Sequence, residues 1–423
     1  MISRPLRFCM ITTFYPPYHF GGDGVFVHRL ANELAKLGHT VHVIHCLDAY
    51  QLLSRQQPSH NYPNHPNVKL HSLHSRFGRM SPLATQQTGR PLFKARQIQQ
   101  ILAQGFDVIH YHNISLVGGP EILTYGQAVK LYTMHEYWLS CPTHVLFRFN
   151  REFCRKRSCL ACSVVYQRPP QLWRYTSLLA ASMRQVDAFL APSRFSKQIH
   201  EAMDLDVNIV HLPLFVSDDD GPGSLENQTS YEDKRPYFLF VGRLEKLKGV
   251  QTLIPLFRGY DKADLLIAGT GSNEAQLRAL AAGCGNIHLV GFRSGKQLKS
   301  LYRGAVATII PSLCAESFCL VAVESLQQGT PTIVRNLGGL PEIVAESEAG
   351  FIYETDGELR TAMDRLLHNS DLRRQMGERG MQAFRRNWTI AVHLERYFKL
   401  IEQIAETAPI LSPKISSQKT APH

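Results

Sequence analysis

The sequence predicts an α/β protein with two doubly wound parallel sheets. Short apolar segments of strand length alternate with segments of helical periodicity, which is typical of parallel sheets covered by helices. The alternation restarts at Tyr237, after the polar segment 217–235. A chain of 423 residues is also too long for one ordinary hydrophobic core. We therefore expect a first domain over residues 1–216, a linker over 217–235 and a second domain over 236–385.

The first domain is expected to open with a strand, a glycine loop and a helix. The strand is Arg7 to Thr12, and the loop contains Gly21 and Gly22. This pair would let a phosphate approach the backbone at a helix N-terminus, although a simple tight turn also uses paired glycines. Further strands are predicted over 41–45, 68–71, 108–110, 131–133, 186–190 and 208–211, with helices over 93–102, 173–183 and 193–203. Segment 48–66 is too irregular to assign.

Three histidines, His110, His112 and His135, fall near the ends of predicted strands, in the segments DVIHYHN and TMHEYW. In an open α/β sheet, ligands bind beyond the carboxyl ends of the strands, which is where His112 and His135 fall. The chain has 19 histidines, so a single one is most simply a core or surface residue. Position at the strand ends is what makes these candidates for a ligand site.

Four of the nine cysteines lie in one insertion, residues 141–162. Cys141, Cys154, Cys159 and Cys162 have the spacing C-x12-C-x4-C-x2-C. The C-x-x-C pair suits two thiolates on one tetrahedral ion, and the two upstream cysteines would complete a site of four thiolates. We predict a structural zinc site that orders this polar insertion. Free thiols in a loop are the alternative. A disulfide is less favoured in a reducing cytoplasm, and a redox-active motif is less favoured because three or four cysteines are involved.

The second domain is expected to begin with the strand Tyr237 to Val241, followed by two cations, Arg243 and Lys248. An arginine fork and a lysine point charge, five residues apart and just past a strand, would converge on a diphosphate. Exposed loop charge is the alternative. Further strands are predicted over 264–268, 287–290, 305–310, 330–334 and 351–353, with helices over 359–367 and 388–404.

The segment from Pro311 to Val344 joins a strand, a loop carboxylate, a helix and a second strand. Glu316 is predicted in the loop, and Glu324 about two turns inside the helix. The unpaired N–H groups from Phe318 through Leu320 to Val321 and the positive helix end favour a phosphate, and an ionised Glu accepts hydrogen bonds from vicinal hydroxyls. Solvated surface charge would also explain such a Glu pair.

The formal net charge of +11 is unevenly placed. Residues 1–213 hold 22 Lys and Arg against 11 Asp and Glu, whereas residues 214–423 hold 24 of each. A basic half suits nucleic acid, an anionic membrane or an acidic substrate. No nucleic-acid-binding signature surrounds the arginines of 148–157, so we expect a membrane surface or a phosphate-bearing lipid and no nucleic acid, with solubility alone as the alternative.

The sequence offers neither an apolar run of membrane-spanning length nor an N-terminus of signal-peptide type. From this we expect a cytoplasmic protein, peripheral on the inner membrane face. The Pro- and Ser-rich residues 405–423 are expected to be a disordered tail.

The segment containing Glu316 and Glu324 resembles the E-x7-E signature of the family 4 retaining glycosyltransferases, including Ser317, Phe318 and the motif GGLPE at 338–342. Cys319 stands where that family usually has Gly. The resemblance covers nearly the whole chain. It implies the GT-B fold, in which two Rossmann-like domains face each other across a cleft and a C-terminal helix, here 386–404, crosses back to the first domain.

The same resemblance implies a retaining transferase without a catalytic metal. It would move a sugar from a nucleotide-sugar donor, bound mainly by the second domain, to a hydroxyl of a saccharide or lipid-linked acceptor on the first domain, in polysaccharide or cell-surface glycan synthesis. The implied roles are the leaving diphosphate for Arg243 and Lys248, the ribose for Glu324, the nucleobase for Arg293, and the donor sugar for Glu316 and His135.

Two other functions remain open. A UDP-sugar 2-epimerase of the same architecture would cleave the nucleotide bond internally and need no acceptor. A non-catalytic membrane-binding adaptor would carry a degraded site, but the four charged residues Arg243, Lys248, Glu316 and Glu324 are all present.

Overall fold

The computed structural model describes residues 4–54, 58, 62–203, 205–217 and 235–407. Most of the expected linker, 218–234, and the tail from residue 408 onward lie outside the described residues. Within the described part, none of the helices combines the length and apolar character needed to cross a membrane.

The first half of the chain forms a seven-stranded parallel sheet in the order β3-β2-β1-β4-β5-β8-β9, and an antiparallel hairpin, β6-β7, inside the cysteine-containing insertion. The strands are Arg7–Ile11 (β1), Thr40–Cys46 (β2), Val68–Leu73 (β3), Val108–Tyr111 (β4), Val129–Thr133 (β5), Phe147–Arg148 (β6), Glu152–Phe153 (β7), Ala188–Ala191 (β8) and Ile209–His211 (β9). The helices are Gly22–Lys36 (α1), Leu47–Leu53 (α2), Met80–Thr88 (α3), Ala95–Leu102 (α4), Cys159–Val165 (α5), Leu178–Met183 (α6) and Arg194–Glu201 (α7), with 3-10 helices at Pro120–Thr124 and Leu172–Tyr175.

The second half forms a six-stranded parallel sheet in the order β12-β11-β10-β13-β14-β15. Its strands are Tyr237–Val241 (β10), Asp264–Ala268 (β11), Ile287–Gly291 (β12), Ala307–Ile310 (β13), Thr332–Arg335 (β14) and Gly350–Tyr353 (β15). Its helices are Leu253–Arg258 (α8), Glu274–Ala281 (α9), Gly295–Gly304 (α10), Leu320–Gln327 (α11), Leu340–Ser347 (α12), Asp356–His368 (α13), Ser370–Asn387 (α14) and Ile390–Thr407 (α15), with 3-10 helices at Lys246–Lys248 and Val250–Thr252.

Each sheet is buried on both faces because successive residues of a strand point to opposite sides. In β1, Cys9 and Ile11 join one apolar cluster, while Phe8 and Met10 join another on the opposite face. This two-sided burial explains why the central strands are continuous apolar runs rather than alternating ones.

The last helix, α15, returns to the first sheet as the GT-B architecture requires. Leu394, Tyr397 and Ile401 are buried in the same cluster as Phe8 and Met10 of β1. The hydroxyl of Tyr397 lies 2.9 Å from His110 Nδ1. The helix continues to Thr407, three residues beyond its expected end.

Two differences from the expected elements have local causes. The helix expected over 173–183 is divided, because Thr176 is extended and its hydroxyl donates to Trp173 O and accepts from the N–H of Leu178. Helix α3 was not anticipated, since its exposed residues include Met80 and its buried ones include Ser81. Because apolar residues are exposed and polar ones buried, the sequence of this helix shows no apolar periodicity.

Candidate active site

The predicted site residues collect where the two sheets face each other. The hydroxyl of Ser317, in the second half, donates to the carbonyl oxygen of His135 in the first. A methyl group added at Gly22 would lie 3.4 Å from the side chain of Leu320. The glycine loop before α1 and the start of α11 therefore face each other across the cleft.

An ion pair occupies the second-domain side of this cleft. Lys248 Nζ lies 2.7 Å from Glu316 Oε1, and the Ser312 hydroxyl donates to the same oxygen at 2.6 Å. Burial disfavours the charged lysine, but the charge and hydrogen bond of Glu316, together with the nearby Cys314 and Cys319, outweigh burial and raise the pKa of Lys248 above its ordinary value. The structure thus joins the residue predicted to bind the phosphate directly to the one predicted to lie against the sugar.

Two glycines with positive φ hold the loops of this pair together. Gly249, with φ of 75°, packs against the backbone carbonyl of Pro311, where a Cβ would clash. Gly338, with φ of 68°, packs in the same way against the backbone of Glu316. Only glycine fits both the conformation and the close approach at these two positions, so the turns that carry Lys248 and Glu316 are fixed by backbone contact.

The two predicted arginines lie at different parts of this edge. Arg243 is half-exposed and pairs with Glu245 at 2.8 Å. Burial raises the pKa of the Cys314 thiol, and the positive charges of Lys248 and Arg243 oppose that rise. Arg293 follows β12, and its guanidinium donates to the carbonyl oxygen of Phe292 at 3.0 Å. Within the part of the chain that the structure describes, no hydrogen bond or ion pair joins Arg293 to the other site residues.

Helix α11 brings its first turn and Glu324 to the cleft. Cys319 is its N-cap residue with φ of −120°, a conformation open to any side chain. Phe318 and Leu320 contact apolar residues of both halves, and Val321 contacts second-domain residues. Tyr302 donates to Glu324 Oε2 at 3.1 Å. Burial raises the pKa of Glu324, while the charge of Arg29 and the Tyr302 bond oppose the rise.

On the first-domain side, His135 is hydrogen-bonded to a second histidine. His112 Nδ1 lies 3.0 Å from His135 Nε2, and the ring of Phe26 packs edge-on against His135 at 5.3 Å. Burial lowers the pKa of His135 to about 4, although the nearby carboxylates of Asp23 and Glu136 oppose the shift. His135 is therefore a neutral imidazole near pH 7, suited to a hydrogen bond rather than to a charge contact.

His110, by contrast, does not face the cleft. It is buried between Thr133 Oγ1, at 2.8 Å, and the Tyr397 hydroxyl of α15. The rings of His110 and His112 lie 4.1 Å apart. The hydrogen bonds of His110, however, belong to the packing of the crossing helix.

The glycine loop lies where it was expected, with an acidic neighbour. Gly21 precedes α1 in an extended conformation, and Gly22 and Asp23 begin the helix. Asn113 donates to Asp23 Oδ2 at 3.4 Å. Sequence reasoning overlooked Asp23, although an acidic residue in the first turn of a helix is a detectable signal.

A second contact between the halves involves Glu342, the acidic residue of GGLPE. Its carboxylate accepts the backbone N–H groups of Arg194, at 2.8 Å, and Phe195, the first two residues of α7. Arg194 also pairs with Glu346 at 2.8 Å. A carboxylate from the second domain thus caps a first-domain helix, a relationship between residues too far apart in sequence to be inferred from local pattern.

The four cysteines of the insertion lie in one neighbourhood as free thiols. Burial, followed by the proximity of Cys141, Cys159 and Cys162, raises the pKa of Cys154 to about 11. The N–H of Phe149 donates to Cys162 Sγ at 3.4 Å. Among the described residues, however, no three or more His, Cys, Asp and Glu side chains form a metal-binding group. The donor chemistry fits zinc, but the site is not assembled here, and it stays a prediction.

Two family models match the chain and together span most of it. The model described as "Glycosyltransferase Family 4" matches residues 20–220, and "Glycosyl transferases group 1" matches residues 224–383. One curated relative is D-inositol 3-phosphate glycosyltransferase of Corynebacterium jeikeium, 34% identical over 155 residues. That match covers 33% of this chain and 37% of the relative, so the chain spans well under two thirds of the relative's length.

Solved structures match over almost the full length. Sucrose-phosphate synthase from Thermosynechococcus elongatus has a TM-score of 0.69 at 17% identity, with 95% of this chain and 100% of that chain covered. Anabaena Alr3699/HepE in complex with UDP has a TM-score of 0.64 at 14% identity, with 94% and 100% covered. At such identities the likeness establishes the GT-B fold alone. The two family matches identify this chain as a member of glycosyltransferase family 4, and the structural likeness gives it the GT-B fold.

Proposed function

We propose that the protein is a retaining glycosyltransferase that moves a sugar from a nucleotide-sugar donor to a hydroxyl of a saccharide or lipid-linked acceptor. The observation that supports this most is the meeting of Lys248, Glu316 and His135 at one place. Lys248 and Glu316 are joined by an ion pair, and His135 is joined to the Glu316 loop through Ser317. A cation, a carboxylate and a neutral imidazole at one cleft suit a phosphate linked to a hydroxylated ring.

The second-domain groups would act on the leaving diphosphate. Negative charge grows on it as the sugar–phosphate bond breaks, so a cation placed there stabilises the transition state more than the ground state. We assign this role to Lys248 and Arg243. The Lys248 ammonium has three N–H groups, so it can keep its bond to Glu316 and still donate to a phosphate oxygen.

Two carboxylates would hold the hydroxyls of the donor. Glu316 receives Lys248 and Ser312 on Oε1, and we assign Oε2 to the sugar. Glu324 receives Tyr302 on Oε2, and we assign Oε1 to the ribose. Backbone N–H groups at the start of α11, near Phe318, Leu320 and Val321, and at Gly21 and Gly22 would contact phosphate. The nucleobase is assigned to Arg293, and a sugar hydroxyl to His135.

The leaving phosphate itself would take the proton of the acceptor hydroxyl, with attack on the same face of the sugar. No catalytic metal enters these steps, because the positive charge comes from Lys248 and Arg243. The UDP bound by the Anabaena protein of the same fold supports a uridine nucleotide as the first donor to test.

We place the protein in the cytoplasm, peripheral on the inner membrane face, in polysaccharide or cell-surface glycan synthesis. The excess basic charge lies in the first half, on the acceptor side. Such charge suits an acceptor that carries phosphate or is held at an anionic lipid surface.

A panel of nucleotide sugars tested by thermal shift is the first experiment, because a ligand that binds only the folded state raises its apparent stability. We expect one nucleotide sugar and its nucleoside diphosphate to raise the melting temperature. NMR of the product formed with an acceptor should then show retained anomeric configuration. Stabilisation by no nucleotide sugar, or conversion of the donor to its 2-epimer without acceptor, would contradict the proposal.

A further inference from the structure

We propose that two adjoining segments of the first domain, residues 76–96 and 148–184, form a docking face for an anionic phospholipid bilayer. This inference deepens the proposed function by assigning a surface and a partner to the acceptor side. Only the consequence for the acceptor rests on the proposed function.

The charge of the first half is concentrated on this docking face. The two segments hold thirteen Lys and Arg and one acidic residue, Glu152. Since residues 1–213 hold 22 basic and 11 acidic residues, the rest of that half carries nine basic and ten acidic residues and is nearly neutral. Ten of the thirteen cations are exposed. The charge is therefore a property of one region and not of the whole first domain.

Large apolar side chains are exposed on the same two segments. Of the fifteen exposed large apolar residues in the described chain, ten lie between Phe77 and Tyr175. Met80 is 67% exposed, Leu172 66% and Val164 67%. Isolated exposed apolar residues are ordinary on a protein surface. Their concentration on the most basic segments is unusual. A surface that is charged only for solubility would not also expose leucine, methionine and valine.

A direct contact joins the two segments. The indole N–H of Trp173 donates to the carbonyl oxygen of Gln86 at 2.8 Å, so the 3-10 helix that carries Leu172 lies against α3. The rings of Phe77 and Phe93 lie 4.2 Å apart, and the Arg76 guanidinium lies 4.9 Å from the Phe77 ring centre. Cations and apolar side chains are thus intermixed.

This mixture fits a bilayer surface better than the other polyanions. Aliphatic side chains enter the boundary between headgroups and acyl chains, while arginines reach the lipid phosphates with their apolar stems along the surface. A nucleic-acid surface instead combines cations with aromatic side chains on which bases stack. Seven of the ten exposed apolar residues of the docking face are aliphatic, Met80, Leu172 and Val164 among them, and offer no ring on which a base could stack.

The docking face adjoins the acceptor end of the cleft. Arg174 donates to the carbonyl oxygens of Trp138 and Leu139, in the loop that follows His135. His144 of the insertion pairs with Glu136 at 2.8 Å. A bilayer against this face would therefore lie beside the loop that carries His135. A lipid-linked acceptor would reach the cleft without leaving the membrane.

Vesicle flotation of the full chain tests the proposal, with phosphatidylcholine alone and with equal parts of phosphatidylcholine and phosphatidylglycerol. Two variants alter the face: Met80→Ser/Leu172→Ser removes apolar contacts, and Arg76→Glu/Arg79→Glu reverses charge. Matched controls lie elsewhere: Leu37→Ser/Leu53→Ser, at residues 57% and 60% exposed, and Arg385→Glu/Arg386→Glu at the end of α14. Melting temperatures confirm that each variant folds.

We expect the wild-type chain to float with the anionic vesicles and to be released as salt rises. Each variant of the face should bind at least about tenfold more weakly than wild type, whereas both controls should bind like wild type. Equal recovery with both kinds of vesicle overturns the proposal. An equal loss in the Arg385→Glu/Arg386→Glu control also overturns it, because net charge alone would then govern binding. If Met80→Ser/Leu172→Ser binds vesicles as well as wild type, the exposed apolar side chains do not contribute to binding, and the docking face as defined is overturned.

Thermal shift with UDP separates this proposal from the proposed function. The Arg76→Glu/Arg79→Glu variant should keep the wild-type response to UDP while losing vesicle binding. If vesicles bind through the face but no nucleotide sugar stabilises the protein, the transferase proposal fails and the docking face stands. If nucleotides bind but the variants of the docking face bind vesicles like wild type, the docking face fails and the transferase proposal stands.

Discussion

Lys248 and Glu316 form an ion pair of 2.7 Å between the second-domain loops that face the cleft. The side chain of Glu316 is 13% exposed and that of Lys248 27%. Each charge is therefore held in place by the other, and the Ser312 hydroxyl donates to the shared oxygen. Charges fixed by such contacts require little rearrangement when charge develops on a bound diphosphate.

We expect Arg243→Ala and Lys248→Ala each to lower the transfer rate by on the order of tenfold to a thousandfold, as loss of a transition-state charge contact does. Arg243 is half-exposed, so its replacement should leave the melting temperature unchanged. Lys262→Ala, which removes a surface pair with Asp364, is the control. Normal turnover in both purified site variants would mean that these cations are ordinary surface charge.

Glu342→Ala should loosen the contact between α7 and the second domain. It removes the acceptor of the Arg194 and Phe195 N–H groups, at a cost on the order of 1 kcal/mol, as for loss of a helix cap. We expect faster hydrogen exchange at these two amides. Glu346→Ala is the control, because it removes only the side-chain pair with Arg194. Unchanged exchange in Glu342→Ala would show that the cap does not hold the helix.

The stability of the protein should fall as the pH drops from about 6.5 toward 4. Burial lowers the pKa of His393 to about 4, although its bond to Pro213 O opposes the shift. In this window the unfolded chain binds a proton that the folded chain refuses, so acid favours unfolding. The variant His393→Asn keeps a hydrogen-bond donor for the carbonyl oxygen of Pro213 but has no group that titrates in this pH range.

That variant should lose on the order of 2 kcal/mol less than wild type between neutral pH and about pH 5, measured by denaturant titration. Parallel pH profiles for the two proteins would assign the acid sensitivity to other groups.

Protein purified under reducing conditions should contain about one zinc per chain by metal analysis. Cys159→Ser/Cys162→Ser should lose it, because two thiolates of the predicted set are removed. Cys9→Ser is the control, since Cys9 lies buried in β1, away from the insertion. Metal-free protein with a fully folded insertion would remove the zinc site.

The strands and the candidate site were predictable to different degrees. Apolar runs such as Tyr237–Val241 identify buried parallel strands directly. The carboxyl ends of parallel strands lie at one edge of a sheet, so the strand-end rule places Lys248 and Glu316 at an edge of the second sheet and His135 at an edge of the first. That these two edges face each other followed only from the resemblance to GT-B glycosyltransferases.

Partners supplied by distant parts of the chain were not predictable. Tyr302 reaches Glu324 from α10, and Glu342 reaches α7 from the other domain. Neither contact leaves a periodic or local signal. For His110, the position near a strand end could be predicted. Its hydrogen-bond partner Tyr397 could not, because that residue lies in the last helix.

The placement of α15 also dictates an order of assembly during synthesis. Ribosomes release the first domain early, and domains generally fold as they emerge. Here, however, the apolar surface around Phe8 and Met10 is covered by Leu394, Tyr397 and Ile401 of α15, which follow the whole second sheet in sequence. A nascent chain must carry that surface uncovered until α15 has been translated. The first sheet is therefore completed only after the second sheet has been made.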